Sequence, residues 1–246
     1  PNLFKLRQEL LFKDYPYPKA AKERDITIGL PRVLSYWETM PFWTTFWRAL
    51  GFKIQLSDLS TRKIYEDGLS AVTSDTVCFP AKLVHGQLRN LVKKGVDRIF
   101  MPSITTVTSE NTESTSESMC AIVKGYPIVI RNSDNPEKRW HIPFDAPLFH
   151  WYKREDRNRQ LTGYMEKAFG IFPAETRQAI NVADAAEKQF HDEMHRAGKA
   201  VLDEVTANGN YAVILASRPY QNDALVNHDL PEMFTSLGIQ IGRAHV

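Results

Sequence analysis

Residues 25–56 read DITIGLPRVLSYWETMPFWTTFWRALGFKIQL, and this stretch decides the fold class. Its first six residues alternate in polarity and predict a strand, which Pro31 ends. The aromatic-rich segment that follows predicts a helix that begins at Pro41 and ends at Gly51, and FKIQL predicts a second strand. A strand, a helix and a second strand in this order indicate parallel pairing.

The same alternation continues along the chain. Residues 60–68 predict a short helix, residues 79–95 predict an amphipathic helix, and VDRIFMPSI at residues 96–104 predicts a third strand. We therefore expect an α/β protein with a Rossmann-like parallel sheet and helices on both faces. In such sheets ligands gather beyond the carboxyl ends of the strands.

Beyond the first domain the pattern changes twice. Residues 152–209 predict two helices separated near Gly170, and YAVILAS at residues 211–217 predicts a buried strand that opens a second α/β unit. We expect that unit to be truncated and the chain to be a piece of a longer polypeptide. The predicted division is an N-terminal helix and linker (1–24), the Rossmann-like α/β domain (25–149), a helical segment (150–210) and the start of the second α/β unit (211–246).

Composition excludes several classes of function. The chain has 246 residues and a formal net charge of +2 at pH 7, so no basic footprint indicates nucleic-acid binding. Two cysteines do not make a disulfide framework, and no segment is typical of a signal peptide or a membrane span. We expect a cytoplasmic protein that acts without nucleic acid and without a membrane.

The two cysteines are the most informative candidates for chemistry. Cys78 stands two residues before Pro80, a natural first residue of a helix, so its thiol is expected at a helix N-terminus. Free N–H groups and the helix dipole stabilise a thiolate there, which suits a metal ligand or a reactive thiol. Cys120 ends the polar loop of residues 104–118, a lid or a surface insert. The alternative for both is a small buried hydrophobic residue.

Other motifs are weaker. His191 and His195 have the spacing of a zinc-binding helix, but the residue after His191 is Asp rather than the Glu of a metalloprotease. The sequence contains neither a glycine-rich phosphate loop nor a GxSxG elbow. The aromatic stripe of residues 37–47 is expected in the core, with Trp37 and Trp43 as candidate rim contacts to a ligand or partner domain.

Six segments together resemble a known family, the activators of 2-hydroxyacyl-CoA dehydratase, also called CoA-substrate-specific enzyme activases. The resemblance covers most of the chain and is sparse between His141 and Asn208. The segments are ITIGLPRVLSYWETMPFWTTFWRALGFKIQLS (26–57), TRKIYEDG (61–68), SDTVCFPAKLVHG (74–86), KGVDRIFMPSI (94–104), CAIVKGYPIVIRN (120–132) and ASRPYQNDALVNHDLPEMFTSLG (216–238).

The resemblance implies a redox role. In this family the region follows ATPase modules and is similar to dehydratase and double-cubane subunits that hold iron–sulfur clusters. It implies that Cys78 and Cys120 ligate a 4Fe–4S cluster for ATP-coupled, low-potential electron transfer. Related subunits use at least three cysteines for each cluster, so a further ligand is expected from outside this segment, from a partner, or from His85 or Glu110. The implied partner is the ATPase module of the same polypeptide or a dehydratase or reductase subunit, and a homodimer is left open.

Three charged residues are expected near this centre. Lys82 and Lys124 would offset the charge of a cluster, and Arg32 would meet a substrate or partner; their alternative is that of ordinary solvated charges. No catalytic residue is predicted. A second hypothesis is a non-catalytic docking module, in which the cysteines are core residues and the aromatic stripe meets the partner. A third is a zinc site at Cys78, Cys120 and His85.

Overall fold

The computed structural model of the protein describes residues 1–107 and 118–245. Its strands are β1 (Arg24–Leu30), β2 (Phe52–Leu56), β3 (Arg98–Phe100), β4 (Ser103–Thr106), β5 (Phe144–Asp145), β6 (Leu148–His150), β7 (Ala212–Ser217) and β8 (Gln240–His245). Its α-helices are α1 (Leu3–Phe12), α2 (Tyr36–Ala49), α3 (Arg62–Leu69), α4 (Phe79–Lys93), α5 (Ala121–Ser133), α6 (Pro136–Trp140), α7 (Arg154–Phe169), α8 (Pro173–Ala207), α9 (Ala224–Asn227) and α10 (Leu230–Ser236).

The main sheet has the strand order β2-β1-β3-β5, and all of its pairs are parallel. This confirms the predicted Rossmann-like α/β fold. The predicted third strand is divided into β3 and β4 around Pro102, which has no N–H to donate to a ladder. Hydrogen bonds continue across this break, since the Met101 amide donates to the Asp145 carbonyl at 2.8 Å. Beyond the break β4 pairs with β6, again in parallel.

Helix α2 ends as predicted but begins a turn earlier than predicted. It starts at Tyr36, so Pro41 lies inside the helix instead of opening it, and it ends before Gly51, which has a φ of +82°. A proline in a helix interior costs about 3 kcal/mol. Burying a large apolar side chain contributes about 1.5–3 kcal/mol, and the extra turn buries both Trp37 and Met40. Two such side chains contribute about 3–6 kcal/mol, so packing is large enough to offset the cost of the proline.

The aromatic stripe is core along its whole length. Trp37 and Trp43 are 1% and 0% exposed, so the prediction that they form rim contacts was wrong. Trp43 packs against Phe100 of the sheet with ring centroids 4.8 Å apart. On its other side α2 packs closely against the long helix α8. Helix α2 thus lies between the sheet and α8. Helix α8, which covers it, begins more than 120 residues farther along the chain.

The second unit consists of β7 and β8, paired in parallel, with α9 and α10 between them. Its strand β7 was predicted to be buried, but Ile214 is 60% exposed, so that expectation of burial was wrong. Within the described residues β7 pairs with β8 alone, which leaves much of its surface uncovered. The N-terminus joins this unit, because Asn2 forms a bridge to Ile241 of β8. None of the described helices combines the length and the apolar character that crossing a membrane would require.

Candidate functional site

Cys78 occupies the residue immediately before helix α4. Its backbone is extended, with φ −63° and ψ 152°, and its carbonyl accepts the amides of Ala81 at 3.0 Å and Lys82 at 3.2 Å. Its side chain makes no capping hydrogen bond, and the residue is exposed. Pro80 has no N–H, and the amides of Ala81 and Lys82 donate to the Cys78 carbonyl, so the helix dipole is what this end of α4 offers to the accessible thiol, which stands at the helix N-terminus as the sequence predicts.

Cys120 occupies the same position at the start of helix α5. Its carbonyl accepts the Lys124 amide at 3.1 Å, its thiol makes no capping hydrogen bond, and the residue is half-buried. The preceding residue is fixed to the sheet, because the Met119 amide donates to the Thr105 carbonyl at 3.0 Å. Sequence reasoning placed Cys120 only at the end of a loop, so the second helix start was missed.

Helices α4 and α5 pack against each other, and one buried imidazole shows that they run in the same direction. His85, seven residues after Cys78, contacts Tyr126 Oη through Nε2 at 3.0 Å and Asp134 Oδ2 through Nδ1 at 2.9 Å. One turn farther along α4, Arg89 lies 3.9 Å from Asp134 at the end of α5. Contacts thus advance toward the C-terminal ends of both helices together.

Because the two helices are parallel neighbours, their N-termini lie at the same end of the pair. Cys78 and Cys120 therefore both stand at that end, each before the first residue of its helix.

The pKa values of two tyrosines are raised in part by the negative charge of these thiols. The pKa of Tyr220, which follows β7, is raised by burial and then by the negative charge of Cys120 and of Cys78. The pKa of Tyr126 is raised to about 12 by burial, then by the charges of Cys78 and Asp134. One phenol from the second unit therefore lies within electrostatic range of both cysteines. Sequence reasoning singled out neither tyrosine.

The two predicted lysines stand at matching positions. Lys82 follows Cys78 by four residues, and Lys124 follows Cys120 by four residues, so each cation lies on the helix face of its cysteine. Lys82 Nζ donates to the Asp75 carbonyl at 2.9 Å, and Lys124 Nζ donates to Ser118 Oγ at 2.8 Å. The repeated Cys-x-x-x-Lys spacing is a sequence signal that could have indicated the second helix start.

Arg32 is held by other groups. Its amide donates to Ser57 Oγ at 2.8 Å, its guanidinium donates to the Ser57 carbonyl, and its charged group lies 4.4 Å from the ring centre of Phe12. Burial lowers the pKa of Arg32, an effect that the charge of Asp58 opposes. These contacts join Arg32 to the residue that follows β2 and to the last residue of α1, and its role toward a substrate or partner stays a prediction.

The ligands for a metal centre are incomplete in this part of the chain. Across residues 1–107 and 118–245, no group of three or more His, Cys, Asp or Glu side chains is arranged to hold a metal ion. Both ring nitrogens of His85 are engaged, so the structure does not offer it as a ligand for the iron–sulfur or the zinc hypothesis. Glu110 lies outside the described residues. The donor set that the structure provides is therefore two thiols at parallel helix starts.

This geometry defines a Rossmann-like α/β domain with a pair of thiols at neighbouring helix N-termini. A family model described as CoA enzyme activase uncharacterised domain matches residues 27–244, and the chain belongs to that family. The match confirms the resemblance to the CoA-substrate-specific enzyme activases. Comparisons with curated proteins and with solved structures each found no match.

Proposed function

We propose that this activase domain supplies Cys78 and Cys120 as two ligands of an iron–sulfur cluster that serves ATP-coupled electron transfer. The observation that carries the proposal is the shared placement of the two thiols, each directly before one of two parallel, packed helices. Neither thiol is engaged in capping its helix. Thiolates are the soft ligands that iron–sulfur clusters use.

The local charges support an anionic centre. Lysines are normally unfavourable in the first turn of a helix, where the dipole already presents positive charge. Lys82 and Lys124 are nevertheless the fourth residues of α4 and α5, where that turn is completed. Two thiolates, or a cluster bound by them, would turn both unfavourable placements into attraction, since each lysine lies one turn from its cysteine on the same face.

When bound, a cluster of this kind supplies one-electron transfer at low potential. The chain's own part is to present two sulfurs at a fixed spacing and to surround them with amide dipoles and two ammonium groups. The remaining ligands would come from another polypeptide segment. The proposed partners are the ATPase module, which would couple electron delivery to ATP hydrolysis, and a dehydratase subunit, which would receive the electron.

The first experiment measures the distance between the thiols without any metal. The sequence contains two cysteines, so a short bifunctional thiol reagent, 1,2-ethanediyl bismethanethiosulfonate, reports on this pair alone. Intact-mass analysis should show one reagent bridging both sulfurs within each chain. Folded protein that instead takes up two separate reagent molecules would place the thiols too far apart for one cluster.

The second experiment tests the cluster itself. Anaerobic reconstitution with iron and sulfide should give a stoichiometric cluster, measured by iron and sulfide analysis and by EPR after reduction. Cys78→Ala and Cys120→Ala should each abolish it, whereas Thr73→Ala, an exposed change five residues before Cys78, should leave it intact. Bridged thiols combined with an absence of iron in the longest expressible form would contradict the proposal.

The docking-module hypothesis rests on two premises that the structure does not support. It requires the cysteines to be core residues, but Cys78 is exposed and Cys120 is half-buried. It also requires the aromatic stripe to be accessible, but Trp37 and Trp43 are buried. No observation therefore favours it over the redox proposal.

A further inference from the structure

The segment that follows β7 reaches from the second unit onto the first domain. It is a single turn of 3₁₀-helix, Pro219–Asn222, at the carboxyl end of a parallel strand pair, the edge where ligands of such sheets bind. The turn packs against α2. It is also tied to α1, because the buried Asn222 Nδ2 donates to the Phe4 carbonyl at 2.9 Å. The turn is therefore held by the first domain as well as by its own strand.

A chain of buried hydrogen bonds joins the end of this turn to the helix that begins after Cys78. Asp223, the next residue along, accepts the Ser60 hydroxyl through Oδ2, and Ser60 Oγ accepts Gln87 Nε2 at 3.0 Å. Gln87 belongs to α4 and is 0% exposed, and Asp223 is 3% exposed. Breaking a link of this chain would leave a buried polar group unsatisfied, so the chain fixes the turn against α4.

Tyr220 is the aromatic residue of the Pro219–Asn222 turn. It is half-buried and packs against the same hydrophobic core as the half-buried Cys120. The negative charge of Cys120 raises the pKa of the Tyr220 phenol more than the charge of Cys78 does. The ring therefore lies toward the Cys120 side of the cysteine pair, whereas Cys78 is exposed.

We propose that Tyr220 covers the Cys120 thiol and that the Gln87–Ser60–Asp223 chain holds the ring in that position. The inference rests on the proposed function and deepens it, because exposure of a cluster to solvent is one of the factors that set its reduction potential. A tyrosine supplied by the second unit would make that unit a part of the cluster site.

The test measures access to each thiol in the metal-free protein. Iodoacetamide is neutral and alkylates thiolates irreversibly, and peptide mass mapping reports Cys78 and Cys120 separately in one sample. The rate is followed as a function of pH, because its plateau at high pH reports access to the thiolate, whereas its midpoint reports the pKa of the thiol. In the wild type the plateau for Cys120 should lie below that for the exposed Cys78.

Four variants make the assignment specific. Tyr220→Ala should raise the Cys120 plateau severalfold and change the Cys78 plateau less. Tyr220→Phe keeps the ring and should leave the Cys120 plateau as in the wild type. Ser60→Ala cuts the hydrogen-bonded chain and should also raise the Cys120 plateau. Tyr211→Ala removes a 69% exposed ring just before β7 and should leave both plateaus unchanged.

An unchanged Cys120 plateau in Tyr220→Ala would overturn the inference, and so would a rise in Tyr220→Phe as large as that in Tyr220→Ala. An unchanged plateau in Ser60→Ala would overturn the role of the chain. If Tyr220→Ala did not fold, Ser60→Ala would still decide, since it leaves the turn and both cysteines intact. Because no metal is present, these rates can contradict the cover while the cluster proposal stands, and a failed reconstitution would leave them unchanged.

Discussion

Replacing Tyr126 by phenylalanine tests whether the imidazole network fixes helix α4 against helix α5. His85 is 0% exposed and Tyr126 is 3% exposed, so water does not replace a lost contact between them. With Nδ1 of His85 donating to the Asp134 carboxylate, Nε2 is the acceptor and the Tyr126 hydroxyl is its donor at 3.0 Å. Tyr126→Phe keeps the ring and removes that donor alone.

The expected loss follows from burial. A buried acceptor left without its partner costs about 1–3 kcal/mol. For a domain of this size, 1 kcal/mol corresponds to about 2–4 °C in Tm, so Tyr126→Phe should melt roughly 2–12 °C below the wild type. Thermal unfolding followed by circular dichroism measures this shift, and urea unfolding gives the free energy directly.

A matched control is available on the neighbouring helix. Tyr65 of α3 packs on Phe79 with ring centroids 5.0 Å apart and is half-buried. Tyr65→Phe removes a hydroxyl from a less buried position, and its free energy of unfolding should stay within about 0.5 kcal/mol of the wild type. If Tyr126→Phe loses no more stability than Tyr65→Phe, the hydrogen bond does not connect the two cysteine-bearing helices as described.

Three further predictions concern stability. Burial raises the pKa of Glu187 from 4.5 to about 8, a shift that an arginine opposes and two nearby carboxylates increase. The folded state therefore binds this proton more tightly than the unfolded chain does, so the free energy of unfolding falls as pH rises from 4.5 to 8. Glu187→Gln should raise Tm at pH 8 and leave it unchanged at pH 4. Burial alone would raise the pKa of Asp134, but the imidazole and two arginines outweigh burial and lower the pKa below 3.8. This carboxylate therefore stabilises the fold above pH 3.8, and that contribution is lost as pH falls through its folded pKa. Asp134→Asn should be less stable at pH 7 and should flatten the loss of stability in acid. A Cβ at Gly86 would stand 1.8 Å from the Ile64 carbonyl oxygen, whereas nothing lies near one at Gly163; Gly86→Ala should cost more than about 3 kcal/mol and Gly163→Ala should gain about 0.5–1 kcal/mol in urea unfolding.

The sequence indicated the sheet and one of the two helix starts because both depend on local patterns. Alternating residues predict β1, and the proline after Cys78 predicts the start of α4, without knowledge of anything distant. Cys120 lacked such a signal. Helix α5 contains Gly125 and Pro127, two residues that weaken a helical pattern, and it survives because Val123 and Tyr126 are buried against the core.

The error over Trp37 and Trp43 has a different physical cause. The spacing of aromatic residues shows that a helix has an apolar face, but it does not show how many neighbours cover that helix. Helix α2 is covered by the sheet and also by α8, so residues that a single cover would leave at the rim become fully buried. Contacts between elements this far apart in the chain cannot be derived from periodicity.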